Sequence, residues 1–118
     1  MGRIVHFEIP SDKPEVSTAF YSKVFGWNFM KWGEQEYWLA TTGDDKEPGI
    51  NGAIMKKRDP NQPVTNNISV GDIDSAIRSI EENGGHIVVP KTEIPTIGYY
   101  AYFKDLDGNI LGVMQNTK

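Results

Sequence analysis

An α+β fold of two β-α-β-β-β modules is predicted by three observations. A strand, a helix and three more strands can be traced on each side of a polar stretch with two prolines, "KKRDPNQPV" at 56–64. A shift of 59 residues lays Ile9 on Ile68, Gly26 on Gly85, Gly49 on Gly108 and Met55 on Met114, and superposes the end strands "AIMK" and "GVMQ". Alternation of apolar and polar residues sorts the first and last strand of each half onto two faces. The expectation is one domain over 1–118, with modules at about 1–57 and 64–118.

The first module opens with the strand "RIVHFEIP". The helix "PEVSTAFYSKVF" follows at 14–25. Pro14 suits its first turn, Asp12 is the candidate cap, and Gly26 ends it. Val16, Phe20 and Val24, with Ala19 beside them, recur at helical spacing and are expected to face the core. Strands "WNFMKW", "EYWLAT" and "INGAIMK" complete the module, the last of them after the turn "GDDKEPG". The second module opens with "TNNISV". Its helix runs over about 73–83, capped by Asp72 and closed by Gly84, with Ile73, Ala76, Ile77 and Ile80 as the buried stripe. Strands near "HIVV", "YYAYF" and "ILGVMQ" follow. A bulge at the start of "GYYAYF" would leave the facing of its tyrosines open. "IPTIG" at 94–98 reads either as a loop over a cleft or as an ordinary connection.

Period-two alternation puts Val5, Phe7, Ile9, Ile54, Ile68, Val70, Leu111 and Val113 on a helix-packed face. His6, Glu8, Ala53, Met55, Thr65, Asn67, Ser69, Gly112 and Met114 fall on the other. A solvated face is usually rich in Lys, Glu and Thr. This one holds small, sulfur-containing and hydrogen-bonding side chains, which suits a lined concavity. Gly112 raises a question, because a glycine within a strand often marks a close approach to the backbone.

The net charge of −4 argues against nucleic acid or an anionic membrane as partner. With no cysteine there is neither a disulfide nor thiol chemistry, which suits the cytoplasm. No N-terminal stretch has the pattern of a signal peptide, and none is long enough to span a bilayer.

Taken in order, "HFEIP" with "AFYSKVFGW", then "ISVGDIDSAIRSIEENGG", then "GYYAYFKDLDGNILGVMQ", resemble the vicinal oxygen chelate superfamily, the glyoxalase/bleomycin-resistance/dioxygenase proteins. That resemblance covers nearly the whole chain and implies a curled mixed sheet around a cleft. Members include metal-dependent lyases, epimerases, dioxygenases and thiol transferases, and also drug-binding proteins without metal. Metal-using members place ligands on the inward face of the first and last strand of each module. Those positions fall here on His6, Ala53 (or Gly52), Thr65 and Gly112, where a glutamate is common at the last. His6 alone is a good ligand, whereas a catalytic site takes about three protein ligands. No metal and no cofactor are therefore expected.

The expected function is metal-free binding of a small molecule. His6, Asn67 and Ser69 would supply polar contacts, and Met55 and Met114 an adaptable wall. Trp38, Tyr100 and Tyr102 are candidates to stack on a planar ligand, with packing at an interface as the competing role. The alternative is a lyase or transferase in which His6 and Glu8 form an acid/base pair, with a metal-dependent glyoxalase-like lyase or dioxygenase ranked behind it. The resemblance also implies a homodimer.

Overall fold

The computed structural model describes residues 2–117. Its contacts gather into two compact units, one of residues 5–64 and one of residues 65–117 together with 2–4. Elements follow the predicted order with small changes in their ends. The first four are β1 (Arg3–Ser11), α1 (Pro14–Phe25), β2 (Asn28–Lys31) and β3 (Tyr37–Thr41), and β4 (Gly52–Lys56) closes the first unit. The second unit holds β5 (Thr65–Ser69), α2 (Ile73–Glu82), β6 (His86–Ile94), β7 (Gly98–Lys104) and β8 (Ile110–Asn116). These elements form the α+β plan of two β-α-β-β-β modules.

In the first unit the strands lie in the order β2-β3-β4-β1. The β2–β3 and β3–β4 pairs are antiparallel, and β1 runs parallel to β4. In the second the order is β5-β8-β7-β6, with β5 parallel to β8 and the other pairs antiparallel. The parallel register is the same in both units. Glu8 pairs with Ala53 and Ile9 with Ile54. Advancing each by 59 residues gives Asn67 with Gly112 and Ile68 with Val113, which are the observed pairs of the second unit. The sequence shift is thus a structural repeat.

In the second unit α2 packs as its periodicity requires. Asp72 accepts from the backbone N–H groups of Asp74 and Ser75, and so satisfies two of the free donors at the helix start. Gly84, at φ 96°, lets the chain turn out of the helix. Ile73 is fully buried against Ala101 and Val113, and Ile68, Ile77, Ile80, Tyr99 and Phe103 pack around them.

The first helix departs from expectation. Asp12 does not cap it. Lys13 holds the N-cap position without a side-chain bond, and the Ser11 hydroxyl accepts from Lys13 N–H and pairs with Ser17 Oγ at 2.6 Å. Pro14 is buried and Ser17, Thr18 and Tyr21 are half-buried, so the inward face is the 14/17/18/21 face. Val16, Phe20 and Val24 point outward, at 65%, 55% and 54% exposure. The reason is aromatic packing at the helix end. Tyr21 stacks on Trp27 at 4.8 Å between ring centres, and Trp27 meets Phe7 at 5.5 Å. That cluster turns the Tyr21 side of the helix to the sheet and carries the i, i+4 stripe away from it. Val5 is also exposed, at 43%, rather than part of the core.

The chain over 94–98 is a tight hairpin turn, with Ile97 N–H donating to Ile94 C=O and Thr96 at φ 67°. It is the connection of β6 to β7. Strand β6 is longer than "HIVV", and the irregularities lie in the β6–β7 ladder, between Ile87 and Val89 and between Val89 and Thr92. The β7–β8 register is unbroken from Gly98 to Lys104.

Ile73 has no exposed surface and is central to the second unit's core. Ile73→Ala should therefore destabilise the protein by about 2–5 kcal/mol, through lost burial and a residual cavity. Urea denaturation of the two proteins measures the difference.

Candidate functional site

Paired residues on neighbouring strands share a face. In the first unit β1 offers His6 and Glu8. Glu8 pairs with Ala53, Ala53 pairs with Leu39, and Met55 pairs with Tyr37. His6, Glu8, Tyr37, Leu39, Ala53 and Met55 therefore occupy one side. Trp38 pairs with Ile54 and so lies on the opposite, helix-facing side, where Lys31 stands 5.5 Å from its ring centre. Trp38, a candidate to stack on a ligand, thus lies on the side opposite His6, and Tyr37 lies on the His6 side.

Tyr37 ties the two titratable groups together. Its hydroxyl donates to Glu8 Oε2 at 2.7 Å, and His6 Nε2 lies 2.9 Å from the same oxygen. A phenol has one proton, so when that proton points to Glu8 its oxygen accepts from His6 Nε2–H. Neutral His6 is then the Nε2–H tautomer, with a lone pair on Nδ1. Burial holds the His6 imidazole below its ordinary value, and the negative charge of Glu8 opposes this without cancelling it.

In the second unit Asn67 pairs with Gly112 and Ser69 with Met114. Tyr102 pairs with Gly112 and Tyr100 with Met114. All six share a face, opposite the Ile73 core. The tyrosine facing left open by the sequence is settled by the unbroken β7–β8 ladder, and the two rings meet edge to face at 5.6 Å. Asn67 stands at Gly112. A Cβ there would collide with Asn67 Oδ1, and would come 3.1 Å from Tyr102 Cε1. Asn67 is 7% exposed, and its Oδ1 is buried without a hydrogen-bond partner. An unsatisfied buried acceptor costs about 1–3 kcal/mol.

The donor set does not suit a divalent metal. Among the described residues no group of three His, Cys, Asp or Glu side chains could hold one. His6 Nε2 and Glu8 Oε2 are both bonded to Tyr37. Ala53 and Gly112 have no donor, and the space beside Gly112 is filled by an amide.

Tyr37 was missed in the sequence because "EYWLAT" carries aromatic residues on both faces. Pairing with Met55, itself on the His6 face, is the signal that assigns it.

The sequence profile of the Glyoxalase/Bleomycin resistance protein/Dioxygenase superfamily matches residues 3–113. The chain is 26% identical over 119 aligned residues to "Putative glyoxylase CFP32" of Mycobacterium tuberculosis, covering 97% of this chain and 44% of that protein. It thus spans less than half the length of the curated relatives it matches. Among solved structures, a glyoxalase/bleomycin resistance protein/dioxygenase superfamily member from Vibrio splendidus superposes with a TM-score of 0.70 at 19% identity, covering 98% of this chain and 99% of the other. Methylmalonyl-CoA epimerase from Mycobacterium tuberculosis superposes with a TM-score of 0.68 at 14% identity, covering 98% and 88%. These likenesses are likenesses of fold.

Two outcomes test the local geometry. Gly112→Ala should destabilise by about 1–3 kcal/mol, because Asn67 must leave its position. The same change in an Asn67→Ala background should cost much less, and a double-mutant cycle from denaturation curves measures the coupling. The second outcome concerns pH. The folded pKa of His6 lies below its unfolded value near 6.5. The unfolded chain therefore binds the His6 proton more readily, and this group makes stability fall as pH drops below that value, with no effect above it. Between about pH 7.5 and about pH 5.5, wild type should lose more melting temperature than His6→Gln.

Proposed function

The chain belongs to the Glyoxalase/Bleomycin resistance protein/Dioxygenase superfamily, and from that premise we propose that it binds a small organic molecule without the help of a metal ion. The observation that carries this reading is the donor set on the sheet faces. His6 is the sole imidazole at the positions where metal-using members hold their ligands, and its Nε2 is engaged by Tyr37. At Gly112, where a carboxylate is common, Asn67 fills the space.

The face of each module, taken by itself, offers contacts to a small organic molecule. His6 Nδ1 is an acceptor for an N–H or O–H group. Asn67 carries a buried acceptor that none of the described residues satisfies, and a ligand donor would meet it once the side chain turns away from Gly112. Ser69 adds a hydroxyl. Met55 and Met114 supply deformable apolar wall, and the Tyr100–Tyr102 pair a surface for a planar group. A homodimer in the cytoplasm completes the proposal, the location on the strength of a chain without cysteine. Among the described residues no helix is long and apolar enough to cross a membrane.

A second reading, a lyase or transferase, draws on the hydrogen-bonded chain His6–Tyr37–Glu8. In it His6 Nδ1 takes a proton from the substrate. Tyr37 and Glu8 fix the tautomer and stabilise the imidazolium that forms. The name glyoxylase given to CFP32 favours a lyase, although this chain matches 44% of that protein.

Thermal-shift screening of metabolites and drug-like compounds identifies the ligand class, and tryptophan quenching reports its binding. With a ligand in hand, His6→Ala should weaken affinity by roughly two- to tenfold, the worth of one hydrogen bond. A chelator should leave affinity unchanged. Stoichiometric Zn, Ni, Mn or Fe in protein purified without chelator would overturn the metal-free reading. Turnover that His6→Ala abolishes would establish the enzyme instead.

A further inference from the structure

The outward stripe of α1 is the largest departure from the expected packing. Val16, Phe20 and Val24 are each more than half exposed and lie on one helical face. The shallow groove between them is lined by Glu15, Val16, Ala19, Phe20 and Lys23, all from the helix itself. Apolar patches of this kind on a soluble domain mark contact surfaces.

The charges beside the stripe select the occupant. Glu15 stands at its N-terminal end and Lys23 at its C-terminal end, eight positions apart or about 12 Å along the axis. A surface that carries opposite charges at its two ends is complementary to itself turned end over end, as a two-fold interface requires. With the two-fold axis near residues 19 and 20, Phe20 meets its own equivalent, Val16 faces the partner's Val24, and Glu15 faces the partner's Lys23. That ion pair occurs twice.

We infer that this chain pairs with a second copy of itself through α1, the two helices antiparallel along the Val16–Phe20–Val24 stripe. The inference rests on the homodimer proposed above and adds the surface that makes it. One helix pair sits at the small end of stable interfaces. The dimer therefore dissociates on dilution.

Sedimentation velocity of the full chain over a concentration series tests this. Wild type should pass from monomer to dimer as concentration rises. Phe20→Glu should stay monomeric, with an unchanged circular dichroism spectrum because Phe20 is 55% exposed and its ring meets Tyr21 edge-on, at 5.1 Å. Glu15→Lys and Lys23→Glu should each weaken pairing by roughly tenfold, since two exposed ion pairs become two repulsions. The double variant Glu15→Lys/Lys23→Glu should restore wild-type pairing. A wild type that stays monomeric at every concentration overturns both the homodimer and the surface. A dimer that survives Phe20→Glu, or a double variant weaker than either single, overturns the surface and leaves the homodimer standing. Binding of wild type to lipid vesicles in place of self-association also overturns it.

Discussion

Parallel pairing of the first and last strand in each module governs where the other side chains point. A one-residue slip in either ladder would exchange its two faces. In the first unit it would turn Ile9 and Ile54 away from the helix side and bring His6 and Glu8 under it. In the second it would draw Ile68 and Val113 out of the Ile73 core and bury Asn67 and Ser69 against α2. The cost of burying those polar groups unpaired, together with the loss of apolar burial, holds both ladders in one register. The β-bulges stay in β6, at the far side of the second unit's sheet from β5, where they leave this register undisturbed.

Both ladders set a polar side chain of the first strand against a small residue of the last. Glu8 pairs with Ala53, and Asn67 pairs with Gly112. The two pairs occupy equivalent positions in the repeat, yet their polar groups are treated differently. The Glu8 carboxylate accepts a short bond from Tyr37, which in turn engages His6. Asn67 Oδ1 is buried and has no such partner. Tyr37 pairs with Met55 as Tyr100 pairs with Met114, so the two tyrosines are also equivalent. One module thus completes a hydrogen-bonded chain at the position where the other leaves an acceptor unsatisfied.

Most of the architecture was legible from local signals. Asp72, Pro14, Gly26 and Gly84 mark helix ends for reasons internal to a few residues, and three of these four depend on backbone chemistry alone. Asp12 failed because Ser11 and Ser17 hydrogen-bond each other and set the entry of the chain into α1. The faces of β1, β4, β5 and β8 followed from alternation. In "EYWLAT" alternation alone does not choose between Tyr37 and Trp38, since both are aromatic, and the choice is made by pairing with β4, a contact across more than ten residues of chain. Asn67 at Gly112 is of the same kind. The glycine announces an approach, and only the parallel ladder says which side chain makes it.

The two helices come from equivalent places in the repeat and have diverged in opposite directions. Helix α2 concentrates its isoleucines on the sheet side and leaves Asp, Arg, Ser and Glu outside, so one face accounts for all its burial. Helix α1 has apolar side chains on both sides. Its inward face, built on Pro14, Ser17 and Tyr21, is completed by Trp27 from beyond the helix end, which supplies the bulk that serine does not. Trp27 meets Phe7 and stacks on Tyr21 on the inward side, and Phe20 and Val24 lie on the outward side. The outward stripe thus accompanies an inward face that rests on aromatic contacts. A helix secured to its own module by one face and apolar on the other has its second face available for a partner, and in this chain the charges at the two ends of that face match those of a second copy laid against it in reverse.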